Sequence, residues 1–316
     1  MHIAVFGAGA VGGYFGGRLA QAGEEVTFIA RGDHLRAMQR EGLRVASIAG
    51  DFTVKPARAT DDAASVGVVD AVLVAVKAWQ VPAAAHAMHP LVGPDTVVVP
   101  LENGVEAPSQ LAAVLGQEHV LGGLCRILST LVGPGHIRHS GISPTIAFGE
   151  LDGRRSQRAE TLREAFRDAE GVSAVIPPDI RAAMWEKFLF IAALSGVGAV
   201  TRAPVGVVRS LPGTRQMLEQ AMEEILVVAR ARGVNLAEEA VVETIGFVDG
   251  LPAQGTASMQ RDVMVGRPSE LESQSGAVVR LGSAAGVETP LHAFIYHSLL
   301  PQEMKARGEI DGEGVE

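Results

Sequence analysis

Cysteine occurs once in the 316 residues, at Cys125. A single thiol excludes an intramolecular disulfide and fits a reducing compartment. A buried, inert thiol is expected there rather than a nucleophile. Aromatic residues are also scarce, at 4%, whereas glycine occurs 37 times. That balance argues against an aromatic-rich β-sandwich and for close packing of helices on strands. Positive charge is in deficit. Lys and Arg number 27 against 36 Asp and Glu, for a formal net charge of −9. A general nucleic-acid binder would be basic, although an acidic protein can still carry a local anion site. Long apolar runs are missing as well. The uncharged stretch 188–201 falls short of the ~18–20 residues needed for a membrane span, and the apolar N-terminus has no basic n-region. These absences predict a soluble cytoplasmic protein with no membrane segment. No H-E-x-x-H, paired C-x-x-C or nucleophile elbow is present, so no metal site is expected.

What is present begins at the first residues. HIAVF at 2–6 reads as a buried parallel strand. Gly7, Ala8, Gly9, Ala10, Val11 and Gly12 follow, in the spacing G-x-G-x-x-G, then a helix and a second strand, EVTFIAR. In that context the pattern predicts a dinucleotide-binding βαβ unit. Gly7 permits the tight turn, Gly9 lets backbone approach a pyrophosphate, and Gly12 lets the helix pack on the strand. Unpaired N–H groups at the helix start would then face the phosphates. NAD binders place a carboxylate at the end of the second strand. This chain has Arg31 there, which could fork onto a 2′-phosphate. NADP(H) is therefore the expected cofactor. Asp33 could instead cap the next helix, HLRAMQREG.

Further strands follow in α/β rhythm. DAVLVAVK ends in Lys77, and TVVVPLENG ends in Asn103-Gly104. Ligands of open α/β sheets collect at such strand ends, so Lys77 could face a phosphate. Asn103 could bond a carboxylate, a carboxamide or a ribose, or serve only the Asn-Gly turn. Residues 120–129, 135–140 and 145–150 read as antiparallel strands extending the same sheet. His136 and His139 are expected on an exposed edge.

After Ile176-Pro177-Pro178, helices dominate. The first holds WEKFLFIAALSGVGAV, in which Lys187 stands alone at the head of an apolar run. An ammonium there either snorkels or faces a polar site, because burying it uncompensated is costly. Helices are also predicted over 214–233, near 256–265, over 269–286 with Ser269 as N-cap and Glu270 and Glu272 in its first turn, and from Pro290 onward. The expected domains are 1–177 (α/β, Rossmann-type) and 178–306 (all-helical), followed by a flexible acidic tail at 307–316.

The glycine turn, Arg31, Lys77-Ala-Trp-Gln, Asn103-Gly104, Trp185-x-Lys187, Ser258 and Glu270 occur in this order, and the pattern resembles the ketopantoate reductase (2-dehydropantoate 2-reductase) family over roughly residues 1–305. The resemblance implies a Rossmann domain joined to an all-α domain like that at the C terminus of 6-phosphogluconate dehydrogenase, with the active site between them and a homodimer as an allowed assembly. It implies NADPH-dependent reduction of 2-dehydropantoate, in pantothenate biosynthesis. Lys187 would be the general acid, Glu270 would organise the site and touch the cofactor, and Asn103 and Ser258 would bind substrate or cofactor. Arg31 and Lys77 would hold the NADP phosphate. The chemistry agrees, since hydride addition to a ketone builds charge on oxygen that a positioned ammonium stabilises and protonates.

The chain departs from the family pattern at two positions. The family usually carries asparagines four and eight residues after the catalytic lysine. Here those positions are Ile191 and Ser195, with Ser195 left as the shorter substrate-facing group. A less polar or bulkier 2-oxoacid is the expectation this raises. The alternatives are a dehydrogenase for another 2-oxo or 3-hydroxy acid and a non-catalytic NADP(H) sensor. Retention of Lys187, Ser258 and Glu270 together speaks against the sensor.

Overall fold

The computed structural model describes residues 1–310; most of the expected acidic tail, 311–316, lies outside the described residues. The chain forms two compact units. One comprises Met1–Glu102 with Ala107–Arg181, and the other Asn103–Glu106 with Ala182 onward.

The elements of the first unit, in chain order, are β1 (His2–Phe6), α1 (Ala10–Gln21), β2 (Glu25–Ile29), α2 (Gly32–Glu41), β3 (Leu43–Ser47), β4 (Phe52–Val54), β5 (Arg58–Thr60), β6 (Ala71–Val74), α3 (Val81–Ala87), β7 (Val97–Pro100), α4 (Ala107–Leu115), β8 (Gly122–Gly133), β9 (His136–Gly149), α5 (Gln157–Ala165) and β10 (Ser173–Val175). Strands β5-β2-β1-β6-β7 make a wholly parallel sheet. This is the doubly wound order, in which the chain reverses direction across the sheet between β1 and β6. Its strands are apolar on both faces because both faces are covered. Ile3, Val5, Ala71, Leu73, Val97 and Val99 join one core cluster. The alternate residues Ala4, Phe6, Val72, Val74 and Val98 join another, with Val81 and Ala85 of α3 and Leu111 of α4.

The stretches expected to extend this sheet do not do so. Strands β8 and β9 pair antiparallel in a second sheet, ordered β10-β9-β3-β4, where β9 also runs parallel to β3 and β10. Pairing between β3 and β9 joins residues some ninety positions apart, and no local pattern announces it. His139 therefore lies inside, not on an edge. It is 2% exposed and bonded through Nδ1 to Ser47 Oγ (2.8 Å) and through Nε2 to the Ile142 carbonyl (2.9 Å). His136 is likewise flanked by strands on both sides, pairing with Arg44 and Gly133.

Helix α1 lies between the two sheets, and its glycines make that possible. A Cβ at Gly12 or Gly16 would strike Val5 or Phe28 of the first sheet. One at Gly13 would strike Ile137 of β9, and one at Gly17 would come within 2.9 Å of Phe52 of β4. Native interiors have no slack for such atoms.

The second unit is helical: α6 (Ile180–Thr201), α7 (Val205–Ser210), α8 (Pro212–Ala231), α9 (Ala240–Asp249), α10 (Ser258–Met264), α11 (Ser275–Ala285) and α12 (Pro290–Arg307). Helix α6 is long and apolar enough to cross a membrane by length and composition, with a mean hydropathy of 1.4 in its most apolar window, 67% of which is buried. Its residues Phe188, Leu189, Ala192, Ala193 and Val197 form the centre of one cluster with α8, α11 and α12. A helix apolar all round is a core helix when other helices surround it. The start of α12 is closed from outside: Glu224 of α8 accepts from the N–H groups of Leu291 (2.8 Å) and His292 (2.9 Å).

The segment expected to open a helix at Ser269 differs. Residues 271–274 are turns and the helix begins at Ser275. Ser269 is not its cap. Its N–H and hydroxyl bond instead to buried Glu303 (2.9 and 2.5 Å), which Arg307 also engages at 2.7 Å. The hydroxyl donates to Glu303, 34 residues downstream, while accepting from the Leu271 N–H at 3.2 Å, so it closes a local turn rather than the helix. Cys125 is buried with its Sγ 3.5 Å from the Leu101 carbonyl.

Candidate functional site

In the first unit the glycine turn joins β1 to α1. Gly7 has φ +96°, and a Cβ there would meet the Ala75 carbonyl at 2.8 Å, so only glycine fits. At Gly9 the opposite holds: nothing lies within 4 Å of an added Cβ. The open space fronts the start of α1, which has no side-chain cap. Among the described residues no backbone carbonyl accepts from the N–H of Gly9, Ala10 or Val11, and the first bond of the helix runs from Gly13 N–H to the Gly9 carbonyl at 2.8 Å. Free donors, a helix N-terminus and empty space beside a glycine suit a dinucleotide pyrophosphate. These residues fit the implied cofactor.

Arg31 stands beyond the end of β2, exposed and extended (φ −137°), immediately before α2. Asp33 does not cap that helix. It lies in the first turn and pairs with Arg36. One turn on is a residue that sequence reasoning passed over. His34 Nε2 lies 2.8 Å from the Ala8 carbonyl, while its Nδ1 accepts from the Gly135 N–H at 2.9 Å. Burial lowers the His34 pKa, the bond to Ala8 opposing it. Lys77 follows β6 and precedes a short 3₁₀ turn, with its ammonium 5.7 Å from the Trp79 ring centre.

In the second unit, Lys187, Ile191 and Ser195 fall one helical turn apart along α6 and share a face. Lys187 is half-buried and forms no hydrogen bond or ion pair among the described residues, Glu270 included. Trp185 and Phe188 beside it are buried and meet edge to face at 5.6 Å. Ser195 is fully enclosed, with its hydroxyl unpartnered among the described residues.

Glu270 is 5% exposed and gathers two neutral donors on Oε2, from Asn103 Nδ2 (3.1 Å) and Gln274 Nε2 (3.3 Å). Gln274 was not anticipated; its spacing of four from Glu270 was the available signal. The Asn103 turn is held at its other end by Arg280, which reaches Glu106 at 2.8 Å and also pairs with Glu272. Gly104 sits at φ +141° with the Ser273 carbonyl beside it. Tyr296 donates to Glu272 at 2.6 Å, and burial, then that carboxylate, push its phenol up to about 12. Ser258 is the first residue of α10, half-buried. Gln260, two positions on, docks this helix by donating to the Ala203 carbonyl at 2.9 Å. It fits because Gly198 of α6 leaves room for its amide. Among the described residues no group of three or more His, Cys, Asp or Glu is arranged to hold a metal.

The comparisons with known proteins bear on the family and the fold. Residues 3–153 match the family model "Ketopantoate reductase PanE/ApbA", and residues 179–303 match the model of its C-terminal domain. A 2-dehydropantoate 2-reductase from Nostoc sp. is 31% identical over 301 residues, covering 94% of this chain and 93% of that protein. An uncharacterized oxidoreductase of Bacillus subtilis, YkpB, is 32% identical, covering 95% and 98%. Among solved structures, a ketopantoate reductase from Ralstonia eutropha superposes with TM-score 0.87 at 32% identity, covering 97% of this chain and all of that one. A D-mandelate dehydrogenase solved with NADH and anilino(oxo)acetate superposes at TM-score 0.88 with 22% identity over 97% of this chain and 99% of that one, a likeness of fold. A Rossmann-type unit followed by a helical unit, matched along nearly its whole length, places this chain in the ketopantoate reductase family of oxidoreductases.

Proposed function

We propose that the protein reduces 2-dehydropantoate or a related 2-oxoacid to the 2-hydroxyacid with NADPH, Lys187 acting as general acid. The observation that carries the reading is Lys187 itself: a half-buried lysine at the head of a core helix, without a counter-ion among the described residues. A structural lysine would be neutralised by a carboxylate or fully hydrated. With no carboxylate among the described residues claiming it, the charge is available to a ligand. NADPH, when bound, supplies the hydride. Lys187 Nζ stabilises the carbonyl oxygen as it becomes an alkoxide and gives it a proton. Asn103, oriented by Glu270, and Ser258 bind substrate or cofactor. The N–H groups of the glycine turn take the pyrophosphate, while Arg31 and Lys77 take the 2′-phosphate. The protein would work on a small molecule, without nucleic acid or membrane, in the cytoplasm and as a homodimer.

Ile191 favours a second reading of the substrate. It lies one turn from Lys187, where an apolar side chain can pack against a substrate but cannot bond a hydroxyl. A 2-oxoacid with an apolar side chain would suit it better than 2-dehydropantoate. Steady-state NADPH oxidation with 2-dehydropantoate beside apolar and aromatic 2-oxoacids tests both readings. Turnover with at least one is expected, and none across the panel in the presence of bound NADPH would leave the chain a cofactor-binding protein.

A further inference from the structure

His34 is bonded at both ring nitrogens, and its partners fix its state. The Gly135 N–H can only donate, so Nδ1 carries a lone pair and the proton sits on Nε2, donating to the Ala8 carbonyl (2.9 and 2.8 Å). Both partners are set by other contacts. The Gly135 carbonyl accepts from Arg44 N–H at 2.8 Å, and the Ala8 N–H donates to the Ile29 carbonyl at 3.1 Å. The imidazole is thus a strut from the β8–β9 turn to the glycine turn.

The Ala8 carbonyl is a consequential place to hold. It shares one planar trans peptide with the Gly9 N–H, and the two point in opposite directions. Pulling the carbonyl onto His34 turns the Gly9 N–H the other way. That N–H has no backbone acceptor among the described residues, and the space beside Gly9 is empty. We infer that His34 is a positioning residue: it locks the Ala8–Gly9 peptide so that the Gly9 amide is presented to the dinucleotide pyrophosphate. This rests on the proposal that the glycine turn binds NADP(H). His34 also lies one turn along α2 from Arg31, so a single segment orients one phosphate site and supplies the other's cation.

Two conservative variants separate this role from simple support of the fold. In His34→Gln the amide nitrogen falls where Nε2 was and can still donate to Ala8. In His34→Asn the amide oxygen falls where Nδ1 was and can still accept from Gly135. NADPH dissociation constants are measured on the full chain by fluorescence titration, with thermal midpoints alongside. The wild type is measured first, since failure to bind NADPH there would remove the cofactor reading itself. His34→Ala and His34→Asn should each weaken NADPH about tenfold, and His34→Gln should recover most of the loss. Adenosine 2′-monophosphate, which lacks a pyrophosphate, should bind all variants as it binds the wild type. Should His34→Ala fail to fold, the Gln and Asn variants decide the matter. NADPH affinity that is unchanged in His34→Asn, rescued by Asn rather than Gln, or lost in parallel with adenosine 2′-monophosphate would overturn the assignment.

Discussion

The glycine turn of the first unit and the polar cluster of the second are built from different materials. The turn works through backbone: free N–H groups at the start of α1, a left-handed Gly7, and open space beside Gly9. The cluster works through side chains, Asn103 brought from a distant segment onto Glu270 and Gln274. A backbone site is robust to most substitutions and sensitive to those that add a Cβ. A side-chain site can lose its chemistry to one change while the fold survives. If this division is real, substitutions in the two regions should separate turnover from cofactor binding.

The largest effect should come from Lys187→Ala. Its turnover should fall by ~10²–10⁴ with NADPH affinity close to wild type. Single-turnover kinetics and a binding titration measure the two quantities, and undiminished turnover would reject the general acid.

Next in size is a stability effect confined to the helical unit. His292 is fully buried, with Nε2–H on the Ala221 carbonyl (3.0 Å) and Nδ1 unpartnered among the described residues. Protonation would add a buried donor with nothing to accept from it, and burial lowers its pKa from 6.5 to about 4. The unfolded chain then binds the extra proton first. This contribution is present above pH 6.5 and is lost between there and about 4, at up to ~1.4 kcal/mol per pH unit. Glu224, which accepts from the His292 N–H, has its pKa raised by burial. It contributes with the opposite sign, stabilising in acid and losing that as pH rises through its raised value. Urea unfolding between pH 8 and 5 should show stability falling toward acid. His292→Gln, which keeps a donor for Ala221, should flatten the profile. An equally steep profile in that variant would assign the protonation elsewhere.

Arg31→Glu tests the other region. A carboxylate in place of the guanidinium should weaken NADPH by about ten- to a hundredfold and leave NADH nearly unchanged, the scale of a charge-assisted hydrogen bond. Equal loss for both cofactors would show that Arg31 supports the turn rather than the 2′-phosphate.

What could be read in advance follows the same division. The glycine spacing announces itself because Gly7 and Gly12 leave no room for a side chain while Gly9 keeps the space beside the turn open, and a spacing of four put Lys187, Ile191 and Ser195 on one helical face. Strand β9 could not be assigned to its sheet, because that depends on a partner strand some ninety residues away. Ser269 has the local character of a helix cap, and its hydroxyl accepts from the Leu271 N–H, but it also donates to Glu303 and the helix starts only at Ser275. Arg18 has the character of a solvated helix arginine, yet it is 1% exposed, stacked on Phe52 at 4.2 Å and bonded to the Ala49 and Gly50 carbonyls. In each case a long-range partner adds a contact that no local pattern announces.

Ile191→Asn is the finest probe, since it alters neither the proton donor nor the cofactor turn. Ile191 packs at the edge of the helical core, half-buried one turn past Lys187. An asparagine there gains a donor and an acceptor at the cost of a few methyl contacts. For a substrate bearing a hydroxyl, one new hydrogen bond is worth ~1 kcal/mol, or about fivefold in kcat/KM. For an apolar 2-oxoacid the same change removes packing and offers nothing in return. The ratio of kcat/KM for 2-dehydropantoate over an apolar 2-oxoacid should therefore rise in the variant, with NADPH affinity constant. A ratio that stays put would mean the substrate side chain does not reach this face of α6, and the apolar-substrate reading would lose its support.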